Sequence, residues 1–371
     1  MKILIQFEKK PLLFDHPESI ISCNNSSSFK SCFEKIEAAL SAGYYAAGFL
    51  SYEAGYCFED RLRDDKDYDF PLLHIGIYGA PSTENTARGS GKERVNIKNA
   101  RLNISRDKYF DNIQKIRSHI EKGDVYQITY CIKLLFESAD DPLSLYNSLL
   151  KEQPVPYPAL VQTDRFAILS LSPEKFIKKT GEHVVTKPMK GTWPRKKNMF
   201  SDIAARIRFQ YDDKNRAENI MIADLLRNDL GRVGKNIKAP VLFEVAKYRT
   251  LYQMTSTVTG KVARDIPIYD LFGALFPSGS VTGAPKLRSM QIIRGLEGEE
   301  RKIYTGAIGY ITPKRDLFFN IPIRTLLLEN GRGEMGIGGG IVWDSTPQGE
   351  WDEGLLKASF LTKTCQNLKY Q

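Results

Sequence analysis

The chain has 371 residues, 42% of them hydrophobic and 26% charged, an ordinary globular composition with enough apolar material for a large core. No run approaches the roughly 18–20 apolar residues of a membrane span, and a short apolar start closed by Glu8, Lys9 and Lys10 lacks a secretory h-region, so a cytoplasmic protein is expected. A net charge of +9, spread along the chain, suits a small acidic ligand at least as well as nucleic acid, and Cys23, Cys32, Cys57, Cys131 and Cys365, odd in number and without a CxxC pair, argue against a disulfide framework or a thiolate metal site.

In chain order, residues 44–58 and 72–80 read as buried strands of an N-terminal subregion, 1–80. Residues 81–98, rich in Ser, Thr, Gly and charge, read as a flexible connector to a larger region, 99–371. Arg106 to Lys122 has helical spacing through Tyr109, Ile113, Ile116 and Ile120 and ends at Gly123, a residue suited to a C-cap; Asp124 to Phe136 follows as a strand. Residues 217–230 read as a helix with Ile220, Ala223 and Leu226 or Leu230 on its apolar stripe. Further on, 303–312, 317–329 and 334–345, separated by short turns, predict an antiparallel meander, after which the chain returns to helical period. Hairpins interspersed with helices, without a βαβ rhythm, predict an α+β fold in one domain, 1–371.

Several constellations carry possible chemistry. Glu350, Glu353 and Lys357 share one face of the last helix, where a solvated salt-bridge stripe is the commoner reading of the spacing alone. With Glu218, near the start of its own helix, Glu350 and Glu353 could supply the oxygen ligands that a Mg²⁺ site uses with water and an anionic substrate. Gly336, Gly338, Gly339 and Gly340 weaken a strand unless a ligand or another backbone approaches closely, or unless they mark a bulge. PSGSVTGAPK (277–286) fails the Walker pattern, yet Thr282 and Gly283 offer hydroxyl and backbone donors to a carboxylate. Arg324, read on a strand, suits bidentate carboxylate binding, with Tyr304 on a neighbouring strand adding a phenol; taken singly, each is equally well a rim residue. Lys190, on a turn between two apolar stretches, is placed like a nucleophile. The four histidines have no metal or triad spacing, and neither a nucleophile elbow nor GxGxxG occurs. A nucleic-acid module using Lys187, Arg195, Lys196 and Lys197 would need a clustered basic face with stacking aromatics.

The strings GDVYQ (123–127), SPEKF (172–176), TKPMKGT (186–192), AENIMIADLLRNDLGRV (217–233), PSGSVTGAPK (277–286), YTGAIGY (304–310), IRTL (323–326) and GIGGGIVWDSTPQGEWDEGLLKA (336–358) resemble, in order, those of the chorismate-utilising enzymes. That family makes anthranilate, isochorismate, salicylate or aminodeoxychorismate. The resemblance implies a large antiparallel β-sandwich flanked by helices, catalytic over 99–371, with Mg²⁺ as cofactor and chorismate, a small dianion, as substrate. Gln127 stands where water-using members carry Lys, and Lys190 where anthranilate-forming members usually carry Ala. The resemblance therefore points to the branch that aminates chorismate to 4-amino-4-deoxychorismate for 4-aminobenzoate and folate; anthranilate formation is the alternative.

What the resemblance implies residue by residue follows from those matches. Lys190 attacks C2 of the ring as the 4-hydroxyl leaves, Glu174 is the general acid, and Gln127 lies on the ammonia side. Glu218, Glu350 and Glu353 hold Mg²⁺ against the ring carboxylate. Thr282, Gly283, Tyr304, Arg324, Gly338, Gly340 and Lys357 contact substrate. Attack requires a neutral amine, which burial favours, and leaving hydroxide requires a carboxylic acid of raised pKa. Four departures from the family pattern are Asn215 for an acid, Gln253 for a His common where pyruvate is eliminated, TYCIK at 129–133, and Pro322 ahead of Arg324. No Cys in a glycine-flanked nucleophile turn suggests a built-in amidotransferase, so ammonia is expected from a separate glutamine amidotransferase subunit or from solution. No fused lyase, nucleic acid or membrane is expected to take part; Pro156 and Tyr157 fall where relatives have a regulatory pocket.

Overall fold

Successive side chains of a strand point to opposite faces, and in this chain both faces of several strands are apolar. Ile3, Ile5, Ala47, Phe49, Ala159, Val161, Ile168 and Leu327 belong to one buried cluster, while their neighbours Leu4, Ala46, Leu50, Leu160, Leu169, Leu326 and Leu328 belong to another. A sheet buried on both faces must be covered twice. The computed structural model, which describes residues 1–83, 95–248 and 251–362 and the backbone of Cys365–Gln366, meets that demand with two ten-stranded sheets packed through the first cluster and helices packed through the second.

One sheet runs Leu12–Phe14, Lys2–Ile5, Tyr157–Gln162, Phe166–Ser172, Thr325–Glu329, Arg332–Ile341, Gln127–Ser138, Ile97–Leu102 and Cys365–Gln366, with Gly283–Ala284 added to Gln127–Ser138. The other runs Met189–Pro194, Leu251–Val262, His183–Lys187, Lys175–Thr180, Leu317–Asn320, Ala307–Ile311, Tyr45–Leu50, Leu73–Tyr78 and Ser19–Cys23, with Gly234–Lys247 also on Leu251–Val262. All pairs are antiparallel except Cys365–Gln366 on Ile97–Leu102. Strands of the first 80 residues thus complete both sheets, pairing with strands from much later in the chain.

The α+β class agrees with the sequence, but several local readings change. Most of the expected connector, 84–94, lies outside the described residues; Ser82 bridges Leu13 and a strand begins at Ile97, so the connection is shorter than 81–98. The stretch 317–329 is two strands in different sheets, with Pro322 in the crossover, because a residue without an N–H ends a ladder. Arg324 is therefore off the strand, in the left-handed region at φ 51, and Tyr304 sits in the turn before Ala307–Ile311. The helix expected at 217 begins at Asp213, capped by Asp212, so Glu218 lies in its second turn; Asn219, Ile222, Ala223, Leu226 and Leu230 face inward and Ile220 faces solvent. The described cysteines are free and buried, with Cys23 and Cys32 in thiol contact. No helix among the described residues is long and apolar enough to cross a membrane.

Candidate functional site

Two crossovers between the sheets lie side by side. Leu171 N donates to Arg324 O (3.1 Å), Ile321 N donates to Glu174 O (3.1 Å), and Ser172 Oγ donates to Ile321 O. This pairing fixes Glu174 and Arg324 on one border of a cavity of about 370 Å³. A second border is the edge of Arg332–Ile341: Thr325–Glu329 pairs with it only as far as Met335, so on that side the backbone of Gly336–Gly340 faces the cavity, while its other side pairs with Gln127–Ser138. Tyr304, Glu218, Glu350, Glu353 and Lys357 complete the lining.

Lys190 enters from Met189–Pro194, whose register on Leu251–Val262 shifts between Lys190 and Thr192. Gly191 makes that bulge at φ +85, a conformation L side chains rarely adopt, and its bare Cα faces Asn215 Oδ1. Lys190 is only 9% exposed, and burial lowers its pKa against the opposing pull of Glu218 and Glu174. Glu174, 2% exposed, accepts from Ser280 Oγ (2.6 Å) and from Met189 N (3.2 Å), so it is tied to the residue preceding Lys190. Burial pushes Glu174 up to about 7. A carboxyl raised toward neutral pH and an amine driven toward its neutral form therefore share one wall.

The facing wall is built by the helix Pro347–Thr362 over the glycine strand. A Cβ on Gly339 would lie 3.0 Å from Glu350 Oε2, 3.5 Å from Lys357 Nζ and 3.9 Å from Glu353 Oε1, so a bare glycine is what lets this helix face settle there. Lys357 Nζ pairs with Glu353 (2.8 Å) and donates to Gly338 O (2.8 Å), while Ser345 Oγ donates to Glu350 (2.6 Å). Lys357 holds Glu353 below its ordinary pKa, whereas burial raises Glu350 and Glu218. Neither Glu218 nor Glu350 makes an ion pair among the described residues, where no preassembled cluster of three His, Cys, Asp or Glu occurs. Arg324, 7% exposed, stacks 5.9 Å from the Tyr248 ring, takes the Gln153 amide oxygen as a partner, and has no carboxylate among the described residues; burial brings it down to about 10. A buried guanidinium of this kind is suited to pairing with an anion.

Other expected residues are placed differently. Gln127 is fully buried behind Gly340, whose Cβ would collide with its amide and lie 2.9 Å from Lys190 Nζ; both of its side-chain polar atoms lack a partner. Thr282 and Gly283 do not line the cavity. Thr282 Oγ1 donates to Ser278 O (3.0 Å), its carbonyl accepts from Thr129 N (2.7 Å), and Gly283 pairs with Ile128, so they brace the wall through the backbone ladder. Gly336 leaves room for the Tyr304 ring, and Gln253 lines the cavity with its Oε1 unpartnered.

Sequence reasoning missed the frame behind these walls. Arg301, 4% exposed, lies 4.3 Å from the Tyr52 ring, pairs with Glu297, and donates to Thr129 O (2.7 Å), Val281 O (2.9 Å) and Thr305 Oγ1 (3.2 Å), three segments that line the cavity. Glu53 of the N-terminal part accepts from the backbone N–H groups of Arg301 (2.7 Å) and Lys302 (3.0 Å). A glutamate in an apolar run, EAGYCF, was the available signal, since a buried charge needs partners.

The family described as chorismate binding enzyme matches residues 80–363. The chain is 33% identical over 340 residues to aminodeoxychorismate synthase component 1 of Klebsiella aerogenes, covering 85% of this chain and 75% of that one. It is 37% identical over 285 residues to a chloroplastic protein of Oryza sativa subsp. japonica named for aminodeoxychorismate synthesis; that match covers 75% of this chain and spans only 32% of the plant protein's length. In structure it is similar to anthranilate synthase component I of Streptococcus pneumoniae, with a TM-score of 0.77 and 23% identity over 97% of this chain and 89% of that one, a likeness of fold.

Proposed function

The chain belongs to the chorismate binding enzyme family, and from that premise we propose that it converts chorismate and ammonia into 4-amino-4-deoxychorismate in the cytoplasm, with ammonia supplied by a glutamine-hydrolysing partner. The observation that supports this reading most is the tie between Glu174 and Met189 N, which holds a carboxyl of raised pKa beside a buried amine. The naming of the bacterial relative as a component 1 supports a second subunit.

In this reading Lys190 Nζ forms a bond to C2, the two conjugated ring double bonds shift, and the C4–O bond breaks as Glu174 gives its proton to the departing oxygen, which leaves as water. Glu174 then recovers a proton from the new ammonium at Nζ. Ammonia bonds to C4, the C2–N bond breaks with its electron pair returning to Lys190, and Glu174 protonates that nitrogen and is reprotonated by the C4 ammonium. Arg324 pairs with one carboxylate of the substrate, and the other lies toward the acid wall. Glu218, Glu350 and Glu353 fit Mg²⁺ there: they are hard oxygen donors, and burial raises two of them, Glu218 and Glu350, against the pull of the lysines nearby, a cost that a bound dication would relieve. Bound Mg²⁺ would supply neutralisation of the carboxylate it shares with these residues.

Incubating the purified protein with chorismate, Mg²⁺ and an ammonium salt should yield 4-amino-4-deoxychorismate without pyruvate. Release of pyruvate with 2-aminobenzoate would overturn the reading in favour of anthranilate formation.

A further inference from the structure

The helix Met199–Gln210 carries an unusual surface. Met199, Ile203, Ile207 and Tyr211 follow one another at four-residue spacing, with Phe200 beside them, and each is at least 50% exposed. The opposite face explains why the helix does not roll over to hide them. Its Asp202 accepts from Arg195 (2.8 and 3.1 Å), Lys196 N (2.9 Å) and Tyr252 OH (2.8 Å), and its Phe209 packs 5.7 Å from Trp193. Asn198 caps the first turn by accepting from Phe200 N and Ser201 N. The outward stripe is therefore fixed, and a contiguous apolar surface of this kind marks an interaction site.

The position of this helix names its occupant. Trp193, before it, and Asp212, after it, both line the cavity, while no residue of the helix itself does, so the stripe belongs to a segment that leaves the cavity wall and returns to it. Exposed Lys196, Lys197, Arg206, Arg208 and Lys214 surround it. We propose that this face docks the subunit that hydrolyses glutamine to ammonia, through an apolar centre with an acidic rim, and so sets its ammonia outlet at the cavity; the inference rests on the amination reading above. Ammonia is reactive only while neutral, and docking beside the wall shortens its exposure to water. A basic, apolar helix face would also suit an anionic bilayer, but a bilayer here would crowd negative headgroups against a site that must admit a dianion.

The test uses the full chain, the glutamine amidotransferase encoded in the same genome, and the variants Ile203→Asp/Ile207→Asp and Phe200→Ser. All three substitutions are at exposed side chains outside the cavity lining. Product formation driven by glutamine should fall at least about 10-fold, as expected for loss of an interface anchor, while formation driven by an ammonium salt stays within about 2-fold. Equal glutamine-driven rates in variant and parent would overturn the proposal, as would equal loss of both activities, which would make the helix part of the catalytic wall. Sedimentation of the parent, but not the variants, with phosphatidylglycerol vesicles, with amidotransferase binding unchanged, would assign the face to a membrane instead. Absence of any ammonium-driven amination in the parent would sink the amination reading, and calorimetric titration of the amidotransferase into parent and variant would still decide the docking face.

Discussion

The two walls of the cavity hold similar side chains, a lysine with glutamates, and burial acts on them in opposite ways. On the Lys190 wall, Glu174 has only a hydroxyl and a backbone N–H as partners, so desolvation prevails and both groups move toward neutrality. On the helix wall, Lys357 sits 2.8 Å from Glu353, and the Coulombic attraction keeps that carboxylate ionised, while burial raises Glu350 beside it and Glu218 on the helix Asp213–Gly231, neither of which has a direct ion pair among the described residues. The difference teaches that direct pairing, rather than burial alone, separates a wall able to move protons from one able to hold a cation.

Removing the acid from the first wall should erase the contrast most strongly. Glu174→Gln keeps the shape but donates no acidic proton, so kcat should fall by about 10²–10⁴, measured with saturating ammonium salt; unchanged kcat would deny Glu174 its role. The walls must also be held in register. Arg301→Lys cannot reach Thr129 O, Val281 O and Thr305 Oγ1 together, and misplacement of the lining should cost up to about 10² in kcat with much of the loss independent of chorismate concentration. An effect on thermal stability alone would make Arg301 merely structural.

On the second wall, Ser345→Ala removes the hydroxyl that orients Glu350. It should weaken Mg²⁺ binding about 10-fold or more by calorimetry, with little effect on Glu174; unaltered Mg²⁺ affinity would remove Glu350 from the cation site. The smallest effect is on stability against pH. Glu53, like Glu174, is pushed up to about 7 by burial, so the folded state holds its proton more tightly than the unfolded chain does. Its contribution is fully present below the ordinary carboxyl range and is lost as pH rises toward about 7. Glu53→Gln should flatten part of that decline in urea midpoint between about pH 5 and 7; an identical slope would show that Glu53 is ionised throughout.

Much of this arrangement was legible in the sequence. Lys190, Glu174, Glu218, Glu350, Glu353, Tyr304, Arg324, Lys357 and the glycine strand meet in one cavity, and the spacing of Glu350, Glu353 and Lys357 on a helix was enough to put them on one face. What was not legible depends on tertiary contacts. Pro322 marks an interruption in LFFNIPIRTLLLE, but only the neighbouring crossover at Glu174 shows that the chain changes sheet there. Thr282 and Gly283 have donors suited to a ligand, but the strand Gln127–Ser138 claims them for its ladder. The helix at Asp213 takes its inward face from packing on three strands, Met189–Pro194, Gly234–Lys247 and Leu251–Val262, which shifts the stripe from Ile220 to Asn219 and Ile222. Arg301 and Glu53 lie 248 residues apart in sequence, and no local pattern couples them.

The central claim is that the Lys190 amine bonds to the substrate ring. Intact-protein mass spectrometry after incubation with chorismate and Mg²⁺, without ammonia, measures it directly. The account predicts an added mass of chorismate less one water, mapped to Lys190, released by ammonium salt and absent from Lys190→Ala. An unmodified parent protein, together with a Lys190→Ala variant that still aminates chorismate at the parental rate, would contradict it.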